Sequence, residues 1–225
     1  MKVLWNKAWC EGQFIHKWKR ENRVMIPKPG KECYNECSTY RTVSITARIG
    51  KRFESITSQR LTTFLKSSCM FAVDQFAYLH NKSSTQALLT EVEKIKKPFL
   101  NGELAGAVFY NFTNAFGSVN RDHLLLKIAQ DFHVSGRLFL HIASFFTGSV
   151  GKNKVFADTI GEWFASYFGT SARTSLGPIL FIMHLHDIPK CIMPKFADDL
   201  VTISVGKHVT EIASKLQQST DQLLL

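Results

Sequence analysis

The chain has 225 residues, 45% of them apolar, which excludes a wholly disordered polypeptide and suits one large domain or a domain with a small appendage. Its 28 Lys and Arg against 18 Asp and Glu give a formal charge of +10, a balance that favours polyanions: nucleic acid or an acidic surface. No run of ~18 apolar residues is present, and Met1-Lys2-Val3-Leu4-Trp5-Asn6-Lys7 lacks an apolar leader core. No membrane partner is therefore expected, and the expected setting is intracellular, cytoplasmic or nuclear, with the five cysteines reduced.

Residues 1–22 read as a helical extension, with Trp5, Trp9 and Trp18 near one face and Gly12 interrupting it. Val24-Met25-Ile26 reads as a short strand, stopped by the turn Pro27-Lys28-Pro29-Gly30. A second strand is expected near Tyr40–Ile45. Cys33-x3-Cys37 lacks a second ligand pair, which argues against zinc. The apolar spacing of Ile49, Phe53, Ile56 and Leu61 predicts a helix over 48–66. Another helix is expected over 84–96, capped by Ser83 or Ser84 and stopped by Pro98. The apolar run Ala105–Phe112 is short enough for a buried strand.

Helices are expected at 121–130 and 135–147, and strands at Val155–Phe156 and Trp163–Phe168. Gly177-Pro178 opens an apolar helix over Leu176–His186. The final elements are a hairpin around Phe196-Ala197-Asp198-Asp199 and a helix from about 208. Helices interleave with separated strands, so the class is α+β.

The adjacent carboxylates of Asp198 and Asp199 sit between two apolar runs, where a strand–turn–strand would present both at its tip. Two-metal phosphoryl transfer needs carboxylates that grip hard cations, with a further acid from a neighbouring strand. At the end of the preceding buried strand the chain has Asn111, whose neutral amide is a poorer magnesium ligand.

Several segments in order carry a resemblance to the reverse transcriptase domain of non-LTR retrotransposons, of the jockey-like, LINE type. They are Trp18-Lys19 with Ile26-Pro27-Lys28-Pro29-Gly30-Lys31, Tyr40-Arg41-Thr42-Val43-Ser44, Gly50-Lys51-Arg52-Phe53-Glu54, and Gln75-Phe76-Ala77-Tyr78 with Lys82-Ser83-Ser84-Thr85. The palm-like segments are Val108–Val119, Gly169–Pro189 and Phe196–Asp199, so the resemblance covers roughly residues 14–222.

The resemblance implies a right-hand polymerase with fingers and palm, the thumb missing. It puts an N-terminal helical extension at 1–22, a fingers-like region at 23–104, and a palm-like region at 105–225 that ends after the third palm motif. It implies RNA-directed DNA polymerase activity (a nucleotidyltransferase) with RNA template, DNA primer, deoxynucleoside triphosphates and Mg2+. Asp198 and Asp199 would hold the metal, and Asn111 stands at the family aspartate. Phe116 stands at the aromatic that excludes a ribose 2′-hydroxyl, though it reads equally as a core aromatic. Gly117 replaces the aspartate that follows that aromatic.

In the second palm motif, Ala172 replaces a glutamine and Arg173 a glycine of the nucleotide pocket, while Thr174 and Leu176-Gly177-Pro178 are kept. Lys28, Lys31 and Arg41 match fingers positions that meet triphosphate or template backbone, and read equally as a solvated loop. The expected outcome is an impaired or inactive polymerase domain. The alternatives are a non-catalytic basic remnant that binds nucleic acid, and a chain with no stable fold.

Overall fold

The computed structural model describes residues 2–155, 159–170, 174–189 and 192–224. Helix α1 (Lys2–Glu11) ends at Gly12, whose φ of +66° turns the chain, and a short 3-10 turn follows at His16–Trp18. The extension is therefore not one helix over 1–22. Strand β1 (Arg20–Pro27) begins four residues earlier than its apolar core suggests, because Glu21 and Arg23 pair with each other and turn inward. Then come β2 (Tyr40–Thr46), α2 (Arg48–Ser67), α3 (Ser84–Leu100) and β3 (Leu104–Asn111).

Ser83 caps α3 reciprocally: its hydroxyl accepts the Gln86 N–H at 3.2 Å, and the Gln86 side chain accepts the Ser83 N–H at 2.9 Å. Pro98 does not stop α3. It lies buried in the last turn, where its missing N–H removes one bond while the Asn101 N–H still closes on its carbonyl at 2.9 Å. The remaining elements are α4 (Ala115–Ser118), α5 (Arg121–Gln130), α6 (Gly136–Phe146), β4 (Val150–Val155), β5 (Thr159–Ala165), α7 (Gly177–His184), β6 (Ile192–Phe196), β7 (Asp199–Gly206) and α8 (Val209–Leu224). No helix among the described residues is long and apolar enough to cross a membrane.

The chain forms two compact units, each made of two segments. One comprises Met1–Met70 and Phe116–Leu180. Its four-stranded sheet has the order β2-β1-β4-β5, with β1 parallel to β4 and the other pairs antiparallel. Ala8, Phe14, Trp18 and Phe53 form a buried cluster beside it. His141 is buried as an aromatic, stacked on Trp9 at 4.5 Å, with burial holding its pKa down. Arg121, at the start of α5, donates to the carbonyls of Gly169 (2.9 Å), Phe146 (3.2 Å) and Ser166, and to the Ser166 hydroxyl (3.2 Å). That fork ties the chain after β5 to the start of α5.

The other unit comprises Phe71–Ala115 and Phe181–Leu225. Its sheet is β3-β7-β6, antiparallel throughout. Helix α8 packs against the face that carries Gly106. A side chain there would come within 2.7 Å of Ile212 Cγ2, so the bare backbone is what allows the close approach. On the same face the Tyr110 and Thr220 hydroxyls meet at 2.9 Å.

Two consequences follow for stability. Replacing Arg121 with Met strands three carbonyls and should lower unfolding free energy by about 2–4 kcal/mol. Arg121→Lys should recover only part of that loss. Denaturant midpoints of the three proteins check it, and an unchanged midpoint for Arg121→Met would refute the fork's role.

The second consequence concerns Glu54 on α2, which is 1% exposed and accepts the Ser175 N–H at 3.1 Å. Burial raises its pKa from 4.5 to about 7. Between those values the unfolded state releases the proton first, so stability falls as pH rises from 4.5 to about 7 and the full cost persists above. Glu54→Gln should flatten that slope, with a gain on the order of 3 kcal/mol at pH 8 as an upper figure. Melting curves across the window decide it: an equal slope in wild type and variant would reject the assignment.

Candidate active site

Two strands of the smaller sheet build the site. β6 and β7 form a hairpin closed by the pair Phe196↔Asp199, so Ala197 and Asp198 are its two loop residues. Apolar side chains on both arms explain why the hairpin forms here: Ile192, Leu200 and Val201 are buried, and Ala197 is 3% exposed. Ala197 takes φ +56°, a left-handed conformation unusual for a residue with a side chain. The tip is thus held in a costly backbone shape while it presents its acids, a pattern common at functional sites.

β3 lies antiparallel to β7, in a register that sets Asn111 directly opposite Asp199. Directly opposed residues point to the same face with Cβ atoms about 4.5–5.5 Å apart. The pair lies on the face opposite the one that Gly106 and Tyr110 turn to α8, because side chains alternate along a strand. Asn111 and Asp199 are exposed and Asp198 is half-buried. The structure therefore places Asn111, Asp198 and Asp199 at the same end of the sheet.

Two further residues share the electrostatics of this tip. Tyr78 has its pKa raised by burial and then by the charge of Asp198. Glu91 on α3 has its pKa raised by burial and then by Asp199, with Lys94 opposing. Sequence reasoning assigned a role to neither. The segment Gln75–Tyr78 was visible as a motif, but nothing in the helical spacing of α3 singles out Glu91.

The donor chemistry suits a hard cation only in part. Two adjacent carboxylates can serve a magnesium ion that completes its shell with water and substrate phosphate. The amide at 111 adds a neutral oxygen where a third anion would stand. Among the described residues, no group of three or more His, Cys, Asp or Glu side chains is placed to hold a metal ion.

The other residues singled out by sequence lie in the larger unit. Phe116 is half-buried on α4, and its carbonyl accepts the Thr170 N–H at 2.8 Å. The neighbouring Gly169 N–H donates to Val119 at 2.8 Å, so the start of the second palm-like motif lies along the segment after Phe116. Ala172 and Arg173 fall outside the described residues. Thr174 accepts the Gly177 N–H at 2.9 Å and so helps open α7. Lys28 is half-buried in the β1–β2 connection, where its ammonium donates to the Ser38 carbonyl at 2.9 Å. Lys31 and Arg41 are exposed, Arg41 in β2 opposite Ile26.

Comparison with known proteins supplies the family. Residues 26–223 match the family described as "Reverse transcriptase (RNA-dependent DNA polymerase)". The chain is similar to a probable RNA-directed DNA polymerase from transposon X-element of Drosophila melanogaster, 27% identical over 195 residues, covering 83% of this chain and 21% of that protein. It is also similar to a probable RNA-directed DNA polymerase from transposon BS of the same organism, 23% identical over 220 residues, covering 91% of this chain and 23% of that protein. The chain thus spans less than a quarter of the length of these relatives.

Among solved structures, an apo telomerase from Candida tropicalis truncated from its C-terminal domain superposes with a TM-score of 0.56 at 9% identity, over 98% of this chain and 50% of that one. At that identity the likeness speaks for the fold, and it agrees with the α+β fingers-and-palm expectation. With the family matched along most of its length and the acid-tipped hairpin in place beside β3, this chain belongs to the reverse transcriptase family.

Proposed function

We propose that this chain is a retrotransposon reverse transcriptase domain whose polymerase activity is impaired at the metal-binding tip. The family implies a nucleic-acid template and nucleotide substrates; here these would be an RNA template, a DNA primer and deoxynucleoside triphosphates. The names of the transposon relatives support the element type. The smaller sheet with its acid hairpin serves as palm. The fingers-like region of residues 23–104 gains β4 and β5, which extend the sheet of β1 and β2.

The observation that carries the reading is the cross-strand pair Asn111↔Asp199. Asp198 and Asp199 would hold magnesium, whose part in phosphoryl transfer is to offset the charge that builds on the phosphate oxygens. Asn111 can orient a water or accept a hydrogen bond, but it adds no negative charge to that grip. Phe116 would shape the sugar pocket, and Lys28, Lys31 and Arg41 would meet phosphates.

Restoring the carboxylate is the direct test. Asn111→Asp should extend a DNA primer on an RNA template with Mg2+ about 10²–10⁴ times faster than wild type. Asn111→Asp combined with Asp198→Asn should fall back to the wild-type level. Wild-type extension as fast as that of Asn111→Asp would refute the impairment.

The charge distribution favours a second, compatible reading: nucleic-acid binding without turnover. Of the 28 Lys and Arg and 18 Asp and Glu, 20 and 9 lie in the larger unit, so 20 − 9 gives +11 there and 8 − 9 gives −1 in the other. RNA affinity should fall with salt on a log–log plot. No RNA binding at low salt in a titration would reject this reading.

A further inference from the structure

We propose that the outer face of α3 is a self-association site, through which two copies of this chain pair as parallel helices along Leu88, Val92, Ile95 and Phe99. The proposal goes beyond the polymerase reading and uses neither its metal nor its template.

The helix carries two apolar stripes. Ala87 and Pro98 are buried, and with Glu91 and Lys94 between them they recur at the 4-3-4 spacing of one helical face. That face turns to the sheet of β3, β7 and β6, against which α3 packs. One position further along, Leu88, Val92, Ile95 and Phe99 repeat the same spacing. A helix turns by about 100° per residue, so this second stripe lies beside the first and points away from the sheet. Leu88 and Phe99 are 58% and 54% exposed, while Val92 and Ile95 are half-buried. Leu89 and Leu100, 61% and 88% exposed, widen the stripe on its outer side.

A 4-3-4 apolar spacing is the seam of a two-helix coiled coil, and the flanking charges set its orientation. Glu91 and Lys96 stand on opposite sides of this seam, five residues apart. In a parallel pair those are the two positions that meet across the seam. Two-fold symmetry then makes the Glu91–Lys96 contact twice. In an antiparallel pair each flank meets its own kind, so Glu91 would not reach Lys96. Among the described residues neither side chain is in an ion pair. Burial and then Asp199 disfavour the Glu91 carboxylate, and a cation from a second copy would offset both.

A free helix of 17 residues is only marginally stable in water. Here α3 is already fixed by its capping box and by the sheet, so pairing has no nucleation cost to meet. A seam about 25 Å long buries on the order of 1,000 Å² in total, the low end for specific interfaces. The expected product is a reversible dimer with micromolar affinity.

Sedimentation velocity of the full chain between about 1 and 100 μM tests this range of affinity. Buffer at pH 8 favours the ionised form of Glu91. Wild type should pass from monomer to dimer, and Leu88→Gln with Phe99→Gln should stay monomeric. Lys96→Glu and Glu91→Lys should each dimerise roughly tenfold more weakly, since like charges then meet at both contacts. Mixed one to one, those two single variants should recover wild-type affinity, because opposite charges meet again at both contacts.

A wild type that stays monomeric at the top of the range, or that grows into larger species without a dimer plateau, overturns the pairing. So does wild-type dimerisation by the double Gln variant, or a charge mixture no tighter than its components. If the double Gln variant fails to fold by circular dichroism, the charge mixture alone decides. Absent primer extension by Asn111→Asp would count against the polymerase reading and leave this result untouched.

Discussion

The register between β3 and β7 is the constraint on which the site depends. A slip of one residue would turn Asn111 toward α8 and remove it from Asp199, because side chains alternate along a strand. Two contacts resist that slip. Gly106 leaves room for Ile212 and Leu216 of α8, and Tyr110 meets Thr220. Shifting β3 by one residue would put a side chain against Ile212 and aim Tyr110 at the other face. The helix behind the sheet therefore sets which residues stand at the hairpin tip.

The same register explains why asparagine is structurally comfortable at 111. Three carboxylates gathered on one tip repel one another unless a cation is bound, and that repulsion weighs on folding. The field of the existing pair is already felt by Tyr78 and Glu91, whose protons it helps to hold. An amide opposite Asp199 keeps the shape and hydrogen-bonding capacity of aspartate without adding to that field. An uncharged side chain there would favour the metal-free fold while weakening the proposed grip on a metal. Such trade-offs between stability and activity are usual at active sites.

Much of this fold was legible where local signals and tertiary packing agree. Ser83 as one of two candidate caps of α3, the apolar runs of β3 and α7, and the two arms around Asp198-Asp199 were readable from sequence, while the reciprocal bond from Gln86 was seen only in the structure. The misses share one cause. Arg20–Arg23 and Val150–Asn153 are charged, polar or glycine-containing and carry no strand pattern, yet they form a parallel pair. What makes them strands is a partner about 130 residues away and the ion pair of Glu21 with Arg23, neither of which leaves a periodic trace. Pro98 misled in the opposite direction, because a proline near a helix end costs little when its own carbonyl is still used. The acids and Asn111 were legible because they terminate strands. Tyr78 and Glu91 were not, since electrostatic proximity to the tip is a property of the fold.

Catalysis and binding place unequal demands on such a chain. Two-metal chemistry requires each anion at a fixed place, so on the proposed reading the single amide at position 111 would be enough to impair it. Binding a polyanion would draw on a summed field from the 20 cations in one unit. Removing one cation from that field weakens it by a fraction. On the proposed reading, a domain with a weakened metal grip would keep its affinity for strands. Bound without extending, it would occupy the template that an intact polymerase needs, and its effect would depend on how much of it is present and on how strongly salt screens it.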